Sequence, residues 1–113
     1  MPTLHIDVAP APAAPVVITL KGEAVVDLDP LVAMLQAVGA QNPACAIIHV
    51  KDLSFISSLA MGVMLAFRRT VVAAGGKVKV AEMQPQVFDS FRRARLDRVF
   101  EIVDTLEEAL GAC

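Results

Sequence analysis

The sequence has few cysteines, little net charge and no long uncharged apolar stretch. Its two cysteines, Cys45 and Cys113, have no spacing that would hold a metal, and two thiols do not make a disulfide framework. The 10 basic and 12 acidic residues give a net charge of −2, which provides no field to draw the protein onto nucleic acid or an anionic membrane. We therefore expect a cytoplasmic protein with no bound metal and no nucleic-acid partner.

The length and the apolar content predict one domain over residues 1–113. This length is enough for one core and too short for two. Hydrophobic residues make up 56% of the chain and charged residues 19%, which is typical of a globular protein. The opening MPTLHIDVAP has no basic region followed by an apolar one, and no stretch reaches the roughly 18 uncharged apolar residues of a transmembrane helix. We expect a soluble protein that does not insert into a membrane.

Hydrophobic periodicity predicts strands and helices in the order ββαβαβαβα. After the opening pair, each strand is followed by a helix, which predicts an α/β fold with a mixed, mostly parallel sheet, an N-terminal hairpin and about four helices. Three prolines within residues 9–15 predict a loop between the first two strands, and His5 should be exposed. The predicted strands cover residues 4–8, 16–20, 44–50, 77–81 and 99–103, and the predicted helices begin near residues 29, 58, 85 and 104.

Local signals place the ends and faces of the helices. Asp29 is expected to accept backbone amides before Pro30, and Gly39 to end that helix in a left-handed conformation. Asp104 is expected to cap the last helix, with Glu107 at capping-box spacing. The residues expected to face inward are Leu31, Met34, Leu35 and Val38 in the first helix, Val87, Phe88, Phe91 and Ala94 in the third, and Leu106, Ala109 and Leu110 in the last.

Residues 47–65 combine an apolar strand, a short polar connection and a long apolar helix. Ser57 and Ser58 stand where the helix begins, a place where a serine cap commonly adds about 1 kcal/mol. A phosphate is also well tolerated there, because the helix dipole and the unpaired amides attract negative charge. The residues alone leave two interpretations open, a structural cap and a regulatory phosphorylation site.

The same stretch resembles a known family. Residues 55–62, FISSLAMG, are similar to the Phe-Ile-Asp-Ser-Ser-Gly-Leu-Gly motif of STAS domains, which form bacterial anti-sigma factor antagonists and the cytoplasmic tails of sulfate transporters. Residues 21–23, 74–77 and 96–100 are also similar to the corresponding segments of STAS domains. The substitutions relative to the motif are Ser57 for its aspartate, Leu59 for its second serine and Ala60 for its first glycine, and His49 stands where many relatives carry an aspartate.

The resemblance implies a binding module that catalyses nothing itself. In the phosphorylated antagonists a kinase modifies the serine that follows the motif's aspartate, which corresponds to Ser58; Ser57 is a possible alternative acceptor. The chain would bind an anti-sigma factor or related serine kinase, free the sigma factor for transcription, and lose this partner on phosphorylation. ATP would belong to the partner, so no cofactor is expected here. The alternative is a docking subunit, without phosphorylation, of a lipid-transport or sensory complex.

The helix after Ser58 has two apolar stripes. On a helical wheel Leu59, Val63, Ala66, Thr70 and Ala74 share the face that suits the core, whereas Met61, Met64, Leu65 and Val72 flank Arg68 on the other side. We expect this second stripe to bind the partner, since methionines form an adaptable surface. The residues expected to contact the partner are Ser57, Ser58, Met61, Met64, Leu65 and Arg68. The other interpretation is that another helix or a twin subunit covers it. We expect a monomer or a weak dimer.

The sequence offers little to an enzyme. Ser58 is not in a Gly-x-Ser-x-Gly elbow, and His5 and His49 are the only imidazoles that could serve as its base. His49, in an apolar strand, is more often satisfied or edge-facing than a ligand. Arg92, Arg93, Arg95 and Arg98 are expected to form a solvated face; the alternative is a surface for an acidic partner or a phosphate.

Overall fold

A computed structural model describes residues 4–11, 14–25 and 27–113, which form a six-stranded sheet and four α-helices. The strands are β1 (Leu4–Ala11), β2 (Ala14–Ala24), β3 (Cys45–His49), β4 (Leu53–Ile56), β5 (Lys77–Ala81) and β6 (Glu101–Val103). The helices are α1 (Asp29–Ala40), α2 (Ser58–Ala73), α3 (Pro85–Arg93) and α4 (Leu106–Gly111), with a 3-10 turn at Leu96–Arg98.

The strand order confirms the mixed α/β fold with an N-terminal hairpin. The sheet runs β1-β2-β3-β5-β6, and β4 pairs with β2 beyond the end of β3. Only the β1–β2 pair among these strands is antiparallel. Strand β3 is central and buried along nearly its whole length, which explains its continuous apolar sequence. Strand β5 lies one strand from the edge.

Strand β4 was missed by the sequence analysis, which placed a polar connection there. It has only four residues, and two of them, Ser54 and Phe55, are exposed. Its buried ends, Leu53 and Ile56, lie three residues apart and do not alternate with period two. This strand forms by pairing with the last residues of β2. Because β2 is distant in the sequence, this pairing cannot be recognised from the residue pattern of 53–56 alone.

The two faces of the sheet are covered unequally. One large core contains buried side chains of α1, α2 and α3 together with those of one sheet face. On the other face α4 covers a small cluster around Cys45, Ile47, Ala81 and Ala109. Lys79 also lies on that face; it is 2% exposed and forms an ion pair with Glu101 of the neighbouring strand.

The predicted loop over residues 9–15 is partly wrong. Strand β1 continues to Ala11 and β2 begins at Ala14, while residues 12–13 lie outside the described residues. The β1–β2 register shifts between Ala9 and Ala11, so Pro10 falls at an irregularity where a missing N–H is tolerated. His5 is exposed, as predicted.

Two expectations about α1 are wrong. Asp29 is its first helical residue, preceded by Leu28, and no side chain caps this end. Gly39 does not end the helix: it is buried within the last turn, and the left-handed residue is Asn42, with φ of 50°. A Cβ at Gly39 would lie 3.3 Å from the Thr70 methyl group, so glycine allows the close approach of α2. The predicted inward residues Leu31, Leu35 and Val38 are buried, and Met34 is half-buried.

The last two helices correct further details. In α3, Val87 and Phe91 are buried as predicted, whereas Phe88 is exposed because the helix has one narrow buried stripe. Ala94, also expected to face inward, follows the last helical residue and is exposed. The cap of α4 is Thr105, whose hydroxyl accepts the Glu108 N–H at 3.0 Å, so Asp104 is not the cap. Along α4 Ala109 is buried, Leu106 is half-buried and Leu110 is exposed.

The two cysteines are joined by a disulfide that the sequence analysis did not predict. Cys45 begins β3 and Cys113 follows α4, and their Cα atoms lie 5.9 Å apart. Their separation of 68 residues in the sequence carries no information about this distance. The bond links the segment after α4 to the strand on which α4 packs.

Candidate functional site

The sheet fixes the position at which α2 begins. Ile56, the last residue of β4, is buried and pairs with Ala24 of β2. The Ser57 N–H then donates to the Ala24 carbonyl oxygen at 2.8 Å, which extends the contact between these segments by one residue. The chain turns into the helix immediately afterwards, so both serines are held at the end of the sheet.

Ser57 is the N-cap of α2. Its backbone is extended, with φ of −86° and ψ of 164°, and its hydroxyl oxygen accepts the Ala60 N–H at 3.1 Å. The same hydroxyl donates to the Val25 carbonyl oxygen at 2.9 Å. Ser57 is half-buried and uses its hydroxyl both as donor and as acceptor, so the cap interpretation holds for this serine.

Ser58 occupies a different position, although it is the next residue. It is the first residue of the 16-residue helix and its side chain is exposed. The first turn of α2 contains no acidic residue, so no carboxylate within that turn opposes a negative group beside the helix N-terminus. The structure thus separates the two serines that the sequence could not distinguish: one is engaged in the fold and the other is accessible.

Two large apolar side chains on either side of the serines are exposed. Phe55 is 48% exposed on β4, and Leu59 is 64% exposed on the first turn of α2. These two residues are separated by only three others in the chain, and exposed apolar side chains that form a patch are a feature of interaction surfaces. The sequence analysis missed this pair because it assigned Leu59 to the core and did not place Phe55 on a strand.

The assignment of the two faces of α2 is reversed in the structure. Met64 is fully buried and Met61 is 7% exposed, so these methionines belong to the core and not to an exposed surface. Leu65 and Arg68 are half-buried, and Val72 is exposed. Of the face predicted to be buried, Leu59, Ala66, Thr70 and Ala74 are exposed and Val63 is half-buried.

The reason for the reversal is side-chain size. Both stripes have helical spacing, so periodicity alone fits either one. The stripe that includes Met61, Met64, Phe67 and Val71 has larger side chains than the one with Ala66 and Thr70, and burying it removes more apolar area from water. The face with small residues instead lies beside α1.

An open cavity of about 360 Å³ lies between α1 and α2. No side chain that lines it carries a formal charge, and only Gln36 and Thr70 are polar. The other lining residues are Val32, Leu35, Ala40, Val63, Ala66 and Phe67.

His49 is satisfied within the fold and lies away from the serines. Its Nε2 atom is 2.5 Å from a carboxylate oxygen of Glu82, a residue held at φ of 64° just after β5. The strand register places His49 on the sheet face that α4 covers, whereas α2 packs on the opposite face. His49 is therefore not positioned as a base for Ser57 or Ser58.

The arginines after β5 form an exposed surface, as predicted. Asp89 accepts from Arg92 at 2.6 Å and from Arg93 at 3.0 Å. The hydrogen bond from Arg92, together with the charges of both arginines, lowers the pKa of Asp89. The same hydrogen bond and the negative charge of Asp89 raise the pKa of Arg92. Arg95 and Arg98 are also exposed.

The part of the chain that the structure describes has neither a metal-binding cluster nor a membrane-spanning helix. No group of three or more histidine, cysteine or acidic side chains in residues 4–11, 14–25 and 27–113 could hold a metal ion. Over the same residues no helix has both the length and the apolar character needed to cross a membrane.

Comparison with known proteins supports the resemblance seen in residues 55–62. The family model described as the STAS domain matches residues 12–109. An anti-sigma factor antagonist from Mycobacterium paratuberculosis superposes with a TM-score of 0.87 at 22% identity, over 97% of this chain and 93% of that chain. No sequence among the curated proteins matches this chain.

Two solved forms of one further protein are also similar. SpoIIAA, an anti-sigma factor antagonist, in its unphosphorylated form gives a TM-score of 0.77 at 24% identity, over 96% of this chain and 95% of that chain. The Bacillus cell fate determinant SpoIIAA in its phosphorylated form gives a TM-score of 0.74 at 23% identity, over 96% of this chain and 98% of that chain. At these identities the structural similarity concerns the fold.

Proposed function

This chain belongs to the STAS-domain family, and we propose that it is an anti-sigma factor antagonist whose binding of an anti-sigma factor or related serine kinase is switched off by phosphorylation of Ser58. The observation that carries the proposal is the contrast between Ser57 and Ser58. The Ser57 hydroxyl is used to cap α2, while Ser58 is exposed at the first helical position. Ser58 is thus the accessible acceptor of the two.

The binding surface in this proposal is centred on the start of α2. Phe55 and Leu59 flank the serines and are exposed, so a partner that covers them gains the free energy of burying apolar side chains. This surface replaces the one formed by Met61 and Met64, which lie in the core. Of the residues first expected to bind the partner, Ser58 is exposed, whereas Ser57, Leu65 and Arg68 are only partly accessible.

Phosphorylation changes this surface without opposing the fold. The kinase transfers the γ-phosphoryl group of ATP to the Ser58 oxygen; ADP leaves and the hydroxyl proton is released. The product adds roughly −1.5 to −2 charges at a helix N-terminus, where the dipole favours negative charge. Beside Phe55 and Leu59 the same charge must be desolvated when the partner docks, and this cost weakens the complex.

The decisive test of the switch is phosphate mapping combined with binding. The protein is incubated with its cognate serine kinase and ATP, and the phosphate is located by mass spectrometry. We expect phosphate on Ser58, none on Ser58→Ala, and unchanged modification at Ser58 in a folded Ser57→Ala variant. Ser58→Asp should lose partner binding. Phosphate on Ser57 alone would contradict the assignment, and no phosphate with binding intact would favour the docking-only alternative.

The binding surface is tested separately by calorimetry with the unmodified protein. Leu59→Ala and Phe55→Ala should each weaken binding by about tenfold, as expected for truncation of an apolar interface residue. Val72→Ala is the matched control, because Val72 is 43% exposed on the same helix and lies about 20 Å beyond Leu59 along its axis. Equal effects of Val72→Ala and Leu59→Ala would place the interface elsewhere on α2.

A further inference from the structure

The outer edge of β1 is the longest strand edge that the described residues leave open. Strand β1 has 8 residues, and among the described residues of the chain its only strand partner is β2. Its pairing with β2 is regular from Leu4 to Ala9 and shifts only between Ala9 and Ala11. An edge strand presents a row of unpaired N–H and C=O groups that can pair with another strand.

The two faces of β1 differ in character. Leu4, Ile6 and Val8 are half-buried and pack against the large core, while His5 and Asp7 are exposed on the other face. An added strand must match this alternation, since a shift of one residue would place its polar side chains against the apolar row. The edge therefore favours an alternating strand with apolar residues on one face and complementary polar residues on the other.

We propose that this edge pairs with β1 of a second copy of the chain, antiparallel and around a twofold axis at Ile6. This register places Ile6 opposite Ile6 and Leu4 opposite Val8 on the apolar face. On the other face each His5 lies opposite an Asp7, so an imidazole N–H can donate to a carboxylate twice. The regular part of the strand ends before Pro10, which has no N–H to offer a ladder.

Charge selects this register over its neighbours. Centring the axis on Asp7 would place two carboxylates opposite each other, and centring it on His5 would pair two imidazoles. Like charges directly opposite each other on two strands are unfavourable, whereas opposite charges are favourable. The strand is therefore complementary to itself in one register, which is the reason to name a second copy as the occupant.

The proposed dimer is independent of the Ser58 surface. Strand β2 pairs with β1 along one of its edges and with β4, which leads to Ser58, along the other. Only about five residues of each strand take part, so the interface is small and the dimer weak.

Sedimentation velocity over about 10 µM to 1 mM tests the pairing, a range suited to a weak interface. The chain should show a concentration-dependent monomer–dimer equilibrium. His5→Asp and Asp7→His should each weaken association about tenfold, because each places like groups opposite one another. The double exchange His5→Asp/Asp7→His should restore it to within about threefold, since it again sets an imidazole opposite a carboxylate. A monomer at every concentration, or no rescue, would overturn the proposal.

Cysteine cross-linking tests the register, with the bond assigned by peptide mapping. Ile6→Cys should form an intermolecular disulfide with itself, because residue 6 lies opposite its own counterpart at a Cα separation of about 4.5–5.5 Å. His5→Cys and Asp7→Cys are matched controls on the same edge and should cross-link at least tenfold more slowly. Faster cross-linking through either control would overturn the register. Circular dichroism establishes that each variant is folded.

Discussion

The Ser57 hydroxyl accepts the backbone N–H of Ala60 at 3.1 Å and donates to the Val25 carbonyl oxygen at 2.9 Å, and the second of these bonds ties the start of α2 to the segment that follows β2. Because Ser57 is held in this way, the next residue begins the helix with its side chain in solvent. Two neighbouring serines thereby acquire different roles, one in stability and one on the accessible surface.

The two serines should respond differently to truncation. Ser57→Ala should lower the free energy of unfolding by about 1–2 kcal/mol, because it removes a helix cap and leaves the Val25 carbonyl without its donor. Ser58→Ala should change it by less than about 0.5 kcal/mol, as expected for an exposed side chain. Urea denaturation of both variants measures the difference. Equal losses in the free energy of unfolding would mean that Ser57 contributes no more to stability as a helix cap than the exposed Ser58 does.

The reversed face of α2 gives a second prediction. Met64→Lys should destabilise the fold by about 3 kcal/mol or more, since it places an unpaired charge in the core. Leu59→Lys should leave the stability within about 0.5 kcal/mol of the unmodified protein. Thermal unfolding followed by circular dichroism measures both. A folded Met64→Lys protein of unchanged stability would contradict the burial of Met64.

The cap of α4 can be tested with adjacent residues. Thr105→Ala should cost about 1 kcal/mol because the Glu108 N–H loses its acceptor. Asp104→Ala should cost less than about 0.5 kcal/mol, since Asp104 is exposed and does not cap the helix. Urea denaturation of both variants measures these losses in the free energy of unfolding. A larger loss for Asp104→Ala than for Thr105→Ala would mean that Asp104 caps α4, as the sequence predicted.

Reduction of the Cys45–Cys113 bond should destabilise the fold. The bond closes a loop of 68 residues, and constraint of the unfolded chain by such a loop is worth about 4 kcal/mol. Unfolding with and without a thiol reductant measures this difference, and Cys113→Ser should reproduce the reduced value. A thiol assay on the denatured, unreduced protein should find no free thiol; two thiols per chain would show that the bond is not formed.

The Asp89 carboxyl should titrate below its ordinary value near 3.8. Hydrogen bonding from Arg92 lowers this pKa in the folded protein, so the interaction stabilises the fold above the pKa of the unfolded chain and is lost as pH falls through the lower folded pKa. Carboxyl NMR titration measures the midpoint. In Arg92→Ala the pKa of Asp89 should rise, and an unchanged midpoint would mean that Arg92 does not hold the carboxylate.

The sequence by itself determined the class of fold and the place of the candidate site. Apolar runs and alternating patterns are local properties of the sequence, so β3 and β5 were predicted nearly to their ends and the start of α2 was predicted at Ser58. The succession of strands and helices implied the mostly parallel sheet. The FISSLAMG segment likewise indicated the family from the sequence alone, because its motif lies in consecutive residues.

The tertiary structure decided what depends on distant partners. Strand β4 forms because β2 lies beside it, and the separate roles of Ser57 and Ser58 follow from the Val25 carbonyl, 32 residues away from Ser57 in the chain. Helical spacing allowed either stripe of α2 to face inward, and burial of the larger apolar side chains against the sheet favoured the side with Met61, Met64 and Phe67. Packing, unlike periodicity, depends on side chains that are far apart in the sequence.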